Sequence, residues 1–177
     1  MKRGLHLARR FFVSLWPGPV RVSDLEWVES ILEPEERSLW SQLRPADRRH
    51  TIAVARRVER MLATTPSAGD DRWLAAALLH DVGKLDADLG VFTRVGATMA
   101  GAAGGHDMAE AWSAKRGITR RVGLYLRHPE LGSTRIALVG GRDEAARWAG
   151  AHHAPERWSS LGFPPEVVSA LHEADDD

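Results

Sequence analysis

The chain has 177 residues, with 24 basic and 24 acidic side chains, eight histidines and no cysteine. That length suits one domain with a real core, and 44% hydrophobic against 27% charged residues is a globular composition. Balanced charge gives no whole-molecule field for a nucleic acid polymer or an anionic membrane. The missing cysteine excludes disulfides, thiolate metal sites, iron–sulfur clusters and a cysteine nucleophile.

A reducing cytosol suits such a chain, and a cytoplasmic location is the expectation. No run approaches the ~18 apolar residues of a transmembrane helix. The N-terminal stretch MKRGLHLARRFFVSLW is too short in apolar residues for a secretory segment and has no small-residue cleavage site. As a helix it places Leu5, Ala8, Phe12, Leu15 and Trp16 on one face, with Lys2, Arg3, Arg9 and Arg10 elsewhere. Docking on the core is the first reading of residues 1–16, and peripheral contact with an anionic membrane the second.

Pro17-Gly18-Pro19 breaks the chain. Ser23-Asp24 then predicts a cap for a helix to about Leu32, and Pro34-Glu35-Glu36 opens another that ends near Leu43. Pro45 starts a long helix to about Ala63 with an apolar stripe at Val54, Val58 and Leu62. Thr64 to Asp71 reads as a loop. Asp70 or Asp71 caps a helix from Arg72 to Val82, which Gly83 stops. The Gly- and Ala-rich stretch Leu89 to Gly105 is loop-like. Further helices are predicted from His106-Asp107 to Arg116, Ile118 to Arg127, Glu130 to Val139, Asp143 to His153 and Pro165 to Asp176. With no period-2 alternation, the fold class is all-α, of eight to ten helices packed ridge into groove.

The ionisable residues fall on the apolar stripes rather than opposite them. His50 stands one turn before Val54. His80-Asp81 ends an apolar run, His128 follows Leu124 by four, His152-His153 ends the Trp148-bearing helix, and Asp175 follows Leu171 by four. A buried carboxylate without a partner costs several kcal/mol, and a divalent ion settles carboxylate and imidazole together. The ligand types suit Mn, Fe, Mg, Co or Zn. One inward histidine is most often a satisfied core residue; an ordered set from five helices points to one ion or two.

These residues resemble the H…HD…D signature of the HD superfamily of metal-dependent phosphohydrolases. The local strings are RRHTIAVAR around His50, ALLHDVGK around His80-Asp81 and ALHEADD around Asp175. HPELGS from His128 and AHH ending at His153 are similar to elements of the bimetallic subset. The likeness spans about residues 45–177, with residues 1–44 as an N-terminal helical extension packing on that domain. It implies His50, His80, Asp81 and Asp175 as core ligands, His128 and His152 for a second ion, and Asp81 as bridge. His153 is implied as an extra ligand or a proton donor to the leaving group, and Lys84 as a group stabilising phosphoryl charge.

Two departures qualify the likeness. Asp175 lies near the end of its helix, where fraying or a shift of phase would substitute Asp176. Ala154 follows the His pair, and Gly162-Phe163-Pro164 stands where the cyclic-dinucleotide branch has Gly-Tyr-Pro, so cleavage of a cyclic dinucleotide is not inferred.

The resemblance implies hydrolysis of a phosphomonoester or phosphodiester, on a nucleotide or related small molecule, by a metal-activated water. Arg127, Arg135 and Arg142 are candidate phosphate grips, although surface roles are commoner, and Trp158 is a candidate to stack on a base or cap the pocket. The alternatives are a catalytically silent metal- or nucleotide-sensing domain and a diiron oxygenase on the same scaffold.

Overall fold

A computed structural model of the protein describes residues 18–87 and 108–176. The expected helix over residues 1–16, the stretch Leu89 to Gly105 and the start at His106-Asp107 lie outside the described residues. Within them the chain is all-α, with no strand. None of the described helices is long and apolar enough to cross a membrane.

The helices are α1 (Val22–Ile31), α2 (Pro34–Ser41), α3 (Pro45–Leu62) and α4 (Asp71–Leu79), followed by a 3₁₀ helix at Val82–Asp86. After a helical stretch at 108–113 come α5 (Gly117–Leu126), α6 (His128–Leu138) and α7 (Asp143–Ala151). A second 3₁₀ helix, Pro155–Ser160, leads to α8 (Pro165–Asp176).

The centre of the molecule is α4. Every residue from Trp73 to Leu79 is buried, as expected of a helix that is apolar all round. Ala75, Ala76 and Ala77 have no exposed surface, and their small side chains let α3, α7 and α8 approach closely. One cluster of buried hydrophobic residues includes Val28 and Trp40 from α1 and α2 and continues to Ala174 in α8. Residues 22–43 therefore share the core of the helices that follow.

Three sequence expectations need correction. Ser23 and Asp24 do not cap α1; the N-cap is Arg21, and both residues lie in the first turn, where Asp24 suits the positive helix end. Helix α4 ends at Leu79 rather than Val82, because Asp81 turns to φ −101° and ψ 4° and the chain tightens into a 3₁₀ helix. Gly83 is then not a helix stop with positive φ. A Cβ there would lie 1.9 Å from His128 O, and one on Gly132 would lie 3.1 Å from Gly83 N. The two glycines allow the 3₁₀ backbone to cross the start of α6 in near contact, bringing His128 beside Asp81.

Candidate metal centre

Three imidazoles are placed by one local device. His80 follows the last residue of α4, His128 comes two after the end of α5, and His152 follows the end of α7. In the last turn of a helix the carbonyls run out of backbone N–H partners. Each imidazole supplies one: Nδ1 of His80 donates to Ala77 O at 2.8 Å, that of His128 to Tyr125 O at 2.7 Å, and that of His152 to Ala149 O at 2.8 Å. A carbonyl only accepts, so each Nδ1 carries a proton and each Nε2 faces inward. The expected helix from Asp143 to His153 is two residues shorter for this reason, with His152 as its C-cap.

The remaining members come from α3 and α8. His50 Nε2 lies 3.1 Å from Asp175 Oδ1 and donates to it, as the carboxylate can only accept. Asp175, and not Asp176, joins the cluster; Asp176 Oδ2 instead faces His172 Nε2 at 3.5 Å. Helix α8 continues through Asp176 and buries Ala174.

Asp81 stands in the middle. Its Oδ1 is 3.5 Å from His128 Nε2, while Oδ2 is 3.5 Å from His80 Nε2 and 3.8 Å from His50 Nε2. Lys84, three residues on, forms an ion pair with Oδ2. Burial by itself would raise the Asp81 carboxyl, but the Lys84 charge beside it holds it well below the usual carboxylate range. Burial likewise opposes the charge on Lys84, and Asp81 more than restores it. Asp175 is also held low despite burial, by His80 and by its hydrogen bond from His50.

The imidazoles go the other way. Burial, helped by the Lys84 charge, pushes His128 down to about 3. Burial also lowers His50, His152 and His153. A neutral His128 and a neutral His152, both protonated at Nδ1, then present their Nε2 lone pairs to each other at 3.3 Å. Nε2 of His80 is one of two buried side-chain polar atoms without a hydrogen-bond partner among the described residues, and it faces carboxylate oxygens at 3.5 and 3.7 Å. Lone pairs and carboxylates converging in a buried space repel one another unless a cation lies between them.

Two groups of side chains have donor atoms close enough to hold a metal ion. In one, His50, His80 and Asp175 bring their donors within 4.8 Å of each other; in the other, His128, His152 and His153 do the same. Asp81 directs one oxygen to each group. Every ligand candidate named from the sequence is thus in one cluster, and His153 falls with the second group rather than apart from it. The donor set fits divalent ions; it does not distinguish among Mn, Fe, Mg, Co and Zn.

The three arginines considered as phosphate grips have other partners. Arg135 pairs with both oxygens of Asp86 at 2.7 Å, Arg127 with Glu130 and Ser113, and Arg142 with Glu36 and the carbonyl of Ile31. Their fixed forks tie elements together. Trp158 is at the site: its Nε1 donates to Ala151 O at 2.9 Å, and its ring lies 4.6 Å from that of His172. With His152, His153, His172 and Asp175 it borders a cavity of about 200 Å³.

Two contributors were not found from the sequence. His172 lies on the cavity wall, one residue after Leu171 and outside the apolar spacing that marked the others. Tyr125 offers its carbonyl to His128 and stacks on that ring at 5.5 Å. Its three-residue spacing before His128 was the available signal, since the other two helix-end imidazoles have the same spacing to their acceptors. Compared with family models, curated proteins and solved structures, the chain matches none.

Proposed function

We propose that this protein is a metal-dependent phosphohydrolase of the HD type, acting on a small phosphomonoester or phosphodiester, with a nucleotide as the leading class. The observation that carries this reading is the 3.3 Å approach of two neutral imidazole lone pairs beside a carboxylate that also faces a second ligand group. Divalent ions held there would supply a water of lowered pKa and neutralise phosphoryl oxygens.

The chain's own residues complete the chemistry. Asp81 spans the two groups, so its loss removes a donor from both. Lys84 remains protonated beside it and takes up charge developing on a phosphoryl oxygen. His153, although exposed, stands within the second group with its donor atom near those of His128 and His152, which favours a ligand over a proton donor. The cavity bordered by Trp158 and His172 receives the part of the substrate beyond the phosphate. At about 200 Å³ it is below the ~300–1,000 Å³ of sites for drug-sized ligands, which favours one ring system over a larger molecule.

Elemental analysis and turnover of nitrophenyl phosphate and a nucleotide panel test this together, with Mn²⁺, Mg²⁺, Fe²⁺ or Co²⁺ supplied. Two ions per chain are expected, and activity is expected to fall at least about 10²–10³-fold in His80→Ala/Asp81→Ala. Ions without turnover on any phosphoester would replace the hydrolase by the sensing or oxygenase reading. No bound ion would end the proposal.

A further inference from the structure

Asp175 occupies a poor position for a metal ligand, in the last turn of α8, where the carbonyls have no further helical N–H partners. Something outside α8 must fix that turn. Arg57 on α3 reaches it: Nη1 donates to Ala174 O at 3.0 Å, the carbonyl just before Asp175. His50 and Arg57 are seven residues apart, so they project from one face of α3, two turns from each other. His50 meets the Asp175 carboxylate and Arg57 the preceding carbonyl. A guanidinium at this end also complements the negative pole of the helix.

Two bonds from one helix to consecutive residues fix both where the last turn lies and how it is rotated. A rotation of one residue would present Asp176, whose carboxylate now faces His172. We infer that Arg57 is a positioning residue: by holding Ala174 O it presents Asp175 to His50 and His80, and so sets the ion affinity of that group. The inference rests on the metal-centre reading above, and it separates the two groups, because Arg57 touches no member of the His128, His152 and His153 set. Loss of an outer partner of a ligand costs ~10–100-fold in metal affinity.

The test uses the full chain, wild type, Arg57→Ala and Arg57→Lys, titrated with Co²⁺ and followed by its visible absorption. Amide hydrogen exchange of the metal-free proteins is measured alongside. Wild type should take up two ions. Arg57→Ala should retain one at wild-type affinity and bind the other ~10–100-fold more weakly, with faster exchange confined to the end of α8. Arg57→Lys, whose ammonium can also donate to the carbonyl, should restore most of both. Wild-type affinity at both positions in Arg57→Ala would overturn the inference. So would equal weakening of both, or slow exchange at the α8 end. A wild type that takes up no Co²⁺ would defeat the metal reading instead, while exchange would still decide whether Arg57 holds the turn.

Discussion

Helix α7 joins two buried polar clusters that differ in one respect. At its N-terminus, Glu36 is fully buried and its two carboxylate oxygens are engaged on every side. They accept from the backbone N–H of Arg142 at 2.9 Å, from the Arg142 guanidinium at 2.8 Å and from Glu33 N at 3.1 Å. About 13 Å away along the helix, His152 opens the second cluster. There, acceptor faces acceptor at His128 Nε2 and His152 Nε2, and His80 Nε2 lies 3.5 and 3.7 Å from the Asp81 and Asp175 carboxylates without a hydrogen-bond partner among the described residues. The first cluster closes upon itself. The second sets two carboxylates and the facing lone pairs of His128 and His152 around one lysine.

The difference separates a structural polar group from one that could hold a metal ion better than burial does. Both clusters are buried, and both contain a carboxylate with a cationic partner. Only the second leaves donor atoms directed at a common point. A buried ion pair is often no more stabilising than the hydrophobic contact it replaces, yet removing one partner is expensive.

The largest effect expected from this comparison is at the Glu36 end. Glu36→Ala removes the buried carboxylate partner of the Arg142 guanidinium, leaving it the Ile31 carbonyl alone, and should cost about 3–5 kcal/mol in denaturant unfolding. The folded fraction should still bind its ions in the same number. Fewer ions per folded chain would show that the two ends of α7 are not separable.

A smaller effect should appear when a cation is supplied at the other end. Free divalent ion at a hundred times its Kd should raise the unfolding free energy by about 2.7 kcal/mol for one site, and a chelator should reverse it. Glu36→Ala should show the same increment on its lower baseline. His128→Ala/His152→Ala should lose part of it. An ion that leaves the melting temperature of the wild type unchanged would remove the distinction between the clusters.

The smallest effect per step is that of protons on the metal-free protein. Folded His128 titrates at about 3, and His50, His152 and His153 are also lowered from the ordinary 6.5. The unfolded chain therefore binds more protons below pH 6.5, and stability declines as pH falls from there toward each folded-state pKa. Each imidazole contributes at most about 1.4 kcal/mol per pH unit in that window. Asp81 and Asp175 are held below the ordinary 3.8, so their contribution is intact above it and is lost as pH falls through their folded values. Thermal melts should therefore decline below pH 6.5. A flat profile between pH 7 and 5 would mean that the imidazoles take up their protons in the folded chain at the same pH as in the unfolded one.

Much of this was legible from the residues alone. The apolar stripe at Val54, Val58 and Leu62 located α3, and its extension by one turn picked out His50. The runs ending in His80-Asp81 and His152-His153 marked the ends that meet. Pro34, Pro45 and Pro165 each stand at the start of a helix, because a residue without an N–H loses nothing there. What periodicity misjudged was where helices stop near the site. His80 and His152 leave the helical pattern because their rings take the last-turn carbonyls, and a 3.6-residue period has no term for that.

The sequence by itself determined the all-α class, the apolar faces and the list of residues with metal-ligating chemistry, since these follow from local spacing and side-chain type. Only the tertiary structure decided how those residues combine. Asp81 faces both groups because Gly83 and Gly132 let two backbones nearly touch, 49 positions apart in the chain. Arg135 and Arg142 serve as ties because Asp86 and Glu36 come to meet them. Asp175 faces inward because α3 holds α8 from outside. Each is a contact between segments distant in sequence, where packing sets the partner and local propensity has no influence.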